Sequence, residues 1–188
     1  MKKILLYFIF STSLIIGCKN KKEDTQKNFP VLSLIKSQVA HVDTSLYQII
    51  RIIKIDSTAD TTYLKREEFR SVAKDFLELP DLTDKKFRKD YSENRLFDES
   101  INRVILTYLP QKDNLEIQRQ EILIMPGNGG EDKVRSIIFD VQKSTPDRIV
   151  IKRMLWLVDE SFQIVTITQN NNRPDSIITT EVIWNRQE

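Results

Sequence analysis

The chain predicts an α+β domain over residues 30–188: a curved antiparallel sheet of about six to seven strands with one or two helices packed on one face. Three observations carry this. Helix-period apolar stripes are confined to the first half of that span. From residue 101 the pattern changes to short strand-period segments separated by turn-forming residues. The composition, 40% hydrophobic and 30% charged over 188 residues, supports one packed core rather than a disordered chain.

Residues 31–42 place Leu32, Ile35, Val39 and Val42 on one helical face. Pro30 precedes the first turn, where its missing N–H costs nothing. Residues 46–55, LYQIIRIIKI, are too rich in isoleucine to alternate, which suits a strand covered on both faces or central in a sheet. Residues 56–60 form a turn and 61–64 a short return strand. Residues 65–79 are the clearest helix. Phe69, Val72, Ala73 and Phe76 make an i, i+3, i+4, i+7 stripe, Glu67 and Glu68 sit in the first turn, and Pro80 stops it. Residues 80–100 are charged and irregular, with a short helix at 85–91. Strands follow at 101–109, 117–125, 134–143, 148–158, 162–169 and 176–185. The breaks between them are short and carry turn chemistry, which favours antiparallel hairpins. Ile137, Phe139 and Val141 alternate with Ser136, Asp140 and Gln142, one face inward and one outward.

The first residues are organised differently. Met1-Lys2-Lys3 is basic, and residues 4–16 are apolar apart from Ser11, Thr12 and Ser13. Thirteen residues is short of the roughly 20 that a membrane-spanning helix needs. A basic start, a short apolar run and a small residue at its end match the pattern of a secretory signal peptide. The run ends Ile15-Ile16-Gly17-Cys18, which resembles the lipobox of bacterial lipoproteins. That resemblance implies cleavage after Gly17, so that residues 1–17 are a removed signal peptide. It also implies a diacylglyceryl group on the Cys18 sulfur and, usually, acylation of the new amino group. Two or three acyl chains, at about 0.8 kcal/mol per buried CH₂, make such an anchor effectively permanent. Cys18 is the only cysteine, so a lipidated chain retains no thiol and forms no disulfide.

Residues 18–29 then form the lipidated cysteine and a polar tether. Lys22-Glu23-Asp24 loosely resembles the lysine-plus-acid export signal of surface lipoproteins in some Gram-negative bacteria; the alternative is a solvated tether. The expected address is the bacterial cell envelope, lipid-anchored at the outer membrane, on its periplasmic or surface face. The whole chain carries 29 Lys+Arg against 27 Asp+Glu, and loss of Lys2 and Lys3 makes it neutral. A neutral domain gives no electrostatic reason to bind nucleic acid.

Candidate chemistry in the body is sparse. PGNGGEDK, residues 126–133, holds three of the four glycines, but a strand pattern follows it where a phosphate loop needs a helix. It reads as a hairpin loop. His41 is the only histidine; a metal site would have to come from carboxylates alone, none of which has calcium-loop spacing, a triad would have to use His41 with no G-x-S-x-G to supply its serine, and no cofactor is expected. Asp98-Glu99 and Asp159-Glu160 are adjacent carboxylates that read as turn and cap residues. A glycosidase pair needs its two carboxyls about 5–10 Å apart across a cleft. Trp156 and Trp184 read as core rather than as a sugar-stacking or base-stacking platform. Asp56-Ser57-Thr58, Asp60-Thr61-Thr62 and Asp175-Ser176-Ile177 look like the Asp-Ser/Thr-apolar acceptor motif of a bacterial periplasmic O-glycosylation family. That likeness implies glycans on Ser57, Thr61 and Ser176, all expected in or near turns. The expectation for function is a membrane-anchored, non-enzymatic binding or assembly module whose partner is an envelope protein or a small ligand. The alternatives are an envelope hydrolase using dispersed carboxylates and a lipid- or small-ligand-binding cradle.

Overall fold

The computed structural model describes residues 28–127, 131–171 and 173–185. Helix α1 (Val31–Thr44) leads into the hairpin β1 (Ile49–Ile55) and β2 (Thr58–Leu64). Three short helices follow: α2 (Arg66–Val72), α3 (Lys74–Leu77) and α4 (Lys85–Arg88). Seven further strands complete the chain: β3 (Tyr91–Asp98), β4 (Arg103–Pro110), β5 (Ile117–Met125), β6 (Lys133–Thr145), β7 (Arg148–Leu157), β8 (Ser161–Asn170) and β9 (Arg173–Ile183).

All nine strands belong to one open sheet in the order β2-β1-β9-β8-β7-β6-β5-β4-β3, antiparallel at every pairing. Strands β3 to β9 form a meander of hairpins. The β1–β2 hairpin is added beside β9, so the chain must travel from the β2 edge to the β3 edge. Helices α2 to α4 make that journey across one face and roof it, with α1 packed against α2 and α3.

Register sets the core. Leu106, Ile122, Ile137, Trp156, Phe162 and Val182 are opposed one to the next from β4 to β9, and all are buried. Phe69 and Phe76, each 0% exposed, come down onto this row from α2 and α3. Phe76 stands edge-on to Trp156 at 5.0 Å and to Phe162 at 5.3 Å, and Phe69 edge-on to Trp184 at 5.2 Å. Each such ring removes apolar surface worth roughly 1.5–3 kcal/mol, so the helices seal the sheet.

Two expectations are corrected. The sheet has nine strands instead of six or seven, because 91–98 is a strand and both strands of the 49–64 hairpin join the six later strands in one sheet. YSENRLFD at a sheet edge has solvent on its outer side and on most of both faces, so its charges cost nothing and no apolar alternation marks it. The helix expected over 65–79 is two helices broken at Ala73, whose φ −83° and ψ 1° depart from the helix. No proline or glycine announces that break.

Positive φ at Asp56 (51°), Asn102 (50°) and Asp159 (61°) falls at the β1–β2, β3–β4 and β7–β8 turns, using residue types that tolerate the left-handed region. The glycine-rich stretch joins β5 to β6, as expected. At Gly127 a Cβ would stand 2.1 Å from the Glu131 carbonyl oxygen, so that position admits only glycine.

Candidate functional site

The space between helices and sheet is nearly filled. The gap lined by Phe29, Ile35, Phe76, Leu82, Gln120 and Phe139 measures ≈ 10 Å³, about the room one water needs. Gln120 Nε2 is buried there without a protein partner.

A charged recess opens where α3 ends over β6 and β7, with ≈ 40 Å³ of free space among Asp75, Glu78, Glu116, Lys143 and Lys152. Lys152 Nζ lies 2.6 Å from Asp75 Oδ1, and Lys143 Nζ 2.8 Å from Glu116 Oε1. The hydrogen bond from Lys143 to Glu116 raises the lysine pKa. Each ammonium here has its own carboxylate partner, so the recess presents paired charges.

A wider opening, ≈ 350 Å³, is a polar cleft at the β3 edge lined by Asn28, Arg88, Lys89, Tyr91, Ser92, Glu93 and Gln111. Its floor is a built network. The Tyr108 hydroxyl donates to Glu93 Oε2 at 2.7 Å and accepts from the Phe29 backbone N–H at 3.0 Å. Burial, and then the Glu93 carboxylate, push the Tyr108 hydroxyl pKa well up, and burial also raises Tyr91. Asn28 Nδ2 donates to the Leu82 carbonyl at 2.7 Å. The first described residues are thus tied down at this cleft, beside the edge strand. Lys86, on α4 next to it, lies 5.0 Å over the Phe87 ring.

The structure scatters the residues singled out in the sequence. Cys18 and residues 1–27 lie outside the described residues. Ser57 is exposed in the β1–β2 turn. Thr61 and Ser176 are exposed but lie within strands, opposite Ile52 and Thr168, rather than in turns. Both strands begin three residues earlier than expected, at Thr58 and Arg173, because their partners β1 and β8 continue to pair with them close to the turn. His41 sits on the exposed side of α1, its ring edge-on to Tyr47 at 5.8 Å.

Trp156 and Trp184 are core, 0% and 3% exposed, and unavailable for stacking on a ligand. Asp98 accepts from the Ser100 hydroxyl at 2.6 Å and its N–H at 3.0 Å, which lowers its pKa. Asp159 docks α1: its N–H donates to Gln38 Oε1 at 2.7 Å and its Oδ1 accepts from Gln38 Nε2 at 2.9 Å. Glu160 pairs in fork geometry with Arg135. Asp98 therefore ends β3 and caps the turn that Glu99 begins, and Asp159-Glu160 lie in the β7–β8 turn, in line with turn and cap residues. Tyr91, Glu93 and Tyr108 were not singled out, because Glu93 meets Tyr108 only through the β3–β4 pairing.

With the geometry in hand, the class is an α+β domain built on an open antiparallel sheet roofed by short helices. No protein-family model, no curated protein and no solved structure matches the chain.

Proposed function

We propose that this chain is an envelope lipoprotein, anchored through Cys18 and working as a non-enzymatic binding or assembly module at the outer membrane. The observation that carries the binding reading is the filled interior. With only ≈ 10 Å³ in the gap beside Phe76 and Gln120 and buried rings packed over Trp156 and Phe162, this part of the core has no room for an acyl chain, and recognition is left to surfaces and edges. The charged recess favours binding over hydrolysis, because Asp75, Glu116 and Glu78 are engaged with Lys152, Lys143 and Lys74 instead of being poised as an acid–base pair. The anchor reading rests on the Ile15-Ile16-Gly17-Cys18 run, and the partner is an envelope protein.

Labelled palmitate tests the anchor. It enters the wild type and is absent from Cys18→Ala; recovery of a chain that retains Met1 or a free thiol overturns the reading. The intact mass of the same material decides the sugar. Added hexose mass that maps to Ser57, Thr61 or Ser176 supports glycosylation, and a mass equal to the bare lipidated polypeptide eliminates it.

A further inference from the structure

We propose that the β3 edge is a self-complementary docking strand through which two copies of this chain pair antiparallel, joining their sheets across a two-fold axis at Asn94. Among the described residues nothing pairs with the outer side of β3.

The hydrogen-bond phase fixes which groups face out. Gln111 N–H donates to the Asp90 carbonyl, so Asp90 and, by alternation, Ser92, Asn94 and Leu96 direct their backbone groups toward β4. Tyr91, Glu93, Arg95 and Phe97 direct theirs to the open edge. A second copy of the strand can bond only through the same odd-numbered residues, so one-residue slips are excluded.

Charge then selects among the remaining registers. Centred on Asn94, the pairing sets Glu93 opposite the partner's Arg95 and Arg95 opposite the partner's Glu93. Moving the centre one residue either way puts Glu93 against itself or Arg95 against itself, which is destabilising for directly opposed side chains. Within one chain Arg95 reaches Glu93 only at 3.9 Å and stays 68% exposed, leaving it available for the second copy.

Apolar surface agrees. Leu96 and Phe97 are 56% and 49% exposed. In this register Phe97 lies opposite the partner's Tyr91, whose counterpart in this chain lines the ≈ 350 Å³ cleft. The cleft has room for a phenyl ring, and each copy supplies one ring to the other.

The test uses the full-length chain with Cys18→Ala, so that an introduced cysteine is the only thiol. Asn94→Cys lies on the axis at a non-hydrogen-bonded position, where facing Cα atoms stand about 4.5 Å apart, within disulfide reach. Leu96→Cys lies on the same face, but its two copies are offset by about 13 Å along the strands. Mild oxidation is expected to link Asn94→Cys into a dimer and leave Leu96→Cys monomeric. Adding Arg95→Glu, which spares the Tyr108–Glu93 bond, opposes two carboxylates and should weaken the Asn94→Cys dimer about tenfold or more. Arg95→Gln, which also leaves the Tyr108–Glu93 bond intact, removes the ion pair without opposing two carboxylates and should link to an extent between the two. Equal linking of both cysteines, a dimer indifferent to Arg95→Glu, or cross-linking of Asn94→Cys only to a different protein would overturn the proposal.

Discussion

Phe76→Ala removes the ring on which the helical roof turns. Phe76 is 0% exposed and touches Phe139, Trp156 and Phe162 at centroid distances of 6.1, 5.0 and 5.3 Å. Deleting a buried Phe costs roughly 3–5 kcal/mol. Three ring contacts place this site toward the upper end, since each pair adds about 0.5–1.5 kcal/mol beyond area alone. A loss of about 4 kcal/mol lowers the melting temperature of a domain this size by roughly 8–16 °C. Scanning calorimetry and urea unfolding both report it, and Tyr63→Ala, at a site 65% exposed, serves as the control within about 0.5 kcal/mol. A drop below about 4 °C would refute the reasoning: α3 would then be a removable lid, and the space beneath it a site for a ligand. Apolar dye uptake by the variant without loss of cooperative unfolding would point the same way.

Two further outcomes follow from the hydrogen bonds of Tyr108 and Gln38. Tyr108 carries a hydroxyl pKa raised above its ordinary value of 10.0, so its contribution to stability is complete below pH 10 and is lost as pH rises past that value toward the folded pKa. Urea midpoints should therefore fall above pH 10. Tyr108→Phe should flatten that fall while costing about 1–3 kcal/mol at neutral pH, because the Phe29 N–H and the Glu93 carboxylate lose their partner; an unchanged alkaline slope would count against the network. Gln38→Ala removes both bonds between α1 and the β7–β8 turn and should cost about 0.5–1.5 kcal/mol per bond at most, read as a lower urea midpoint, and an unmoved midpoint would show that the turn does not hold α1.

How much was legible depended on whether each element had a buried face. Helix α1 and strands such as β5 and β6 bury a stripe or a run of one face, so Ile35, Val39 and Val42, or Ile137, Phe139 and Val141, announce themselves at the right period. Strand β3 has a partner on only one side and exposes most of its length, so burial never constrained YSENRLFD to alternate. The break at Ala73 left no mark either, since both halves of the helix keep their apolar positions on one stripe. The acidic turns were readable because Asp and Asn tolerate positive φ and satisfy local N–H groups. The cleft was not, because Tyr108, Glu93 and Asn28 are brought together by sheet register and by side-chain bonds across the fold.

The two edges of the sheet differ in what they can pair with. Strand β2, Thr58–Leu64, contains one charged residue, Asp60. Antiparallel pairing of β2 with itself either opposes two carboxylates or forms no ion pair at all, so nothing specifies its register. Strand β3 carries a cation and an anion two residues apart on one face, the minimum needed for a register that satisfies both. An assembly through β3 alone is isologous and closes at two copies, leaving a β2 strand at each far end. If both edges were self-complementary, the sheet would continue without limit, which is the hazard open sheets must avoid. The asymmetry between a threonine-rich edge and a charge-coded one therefore makes pairing through β3 self-limiting, and it predicts that β3 variants change a dimer and not the length of a fibre.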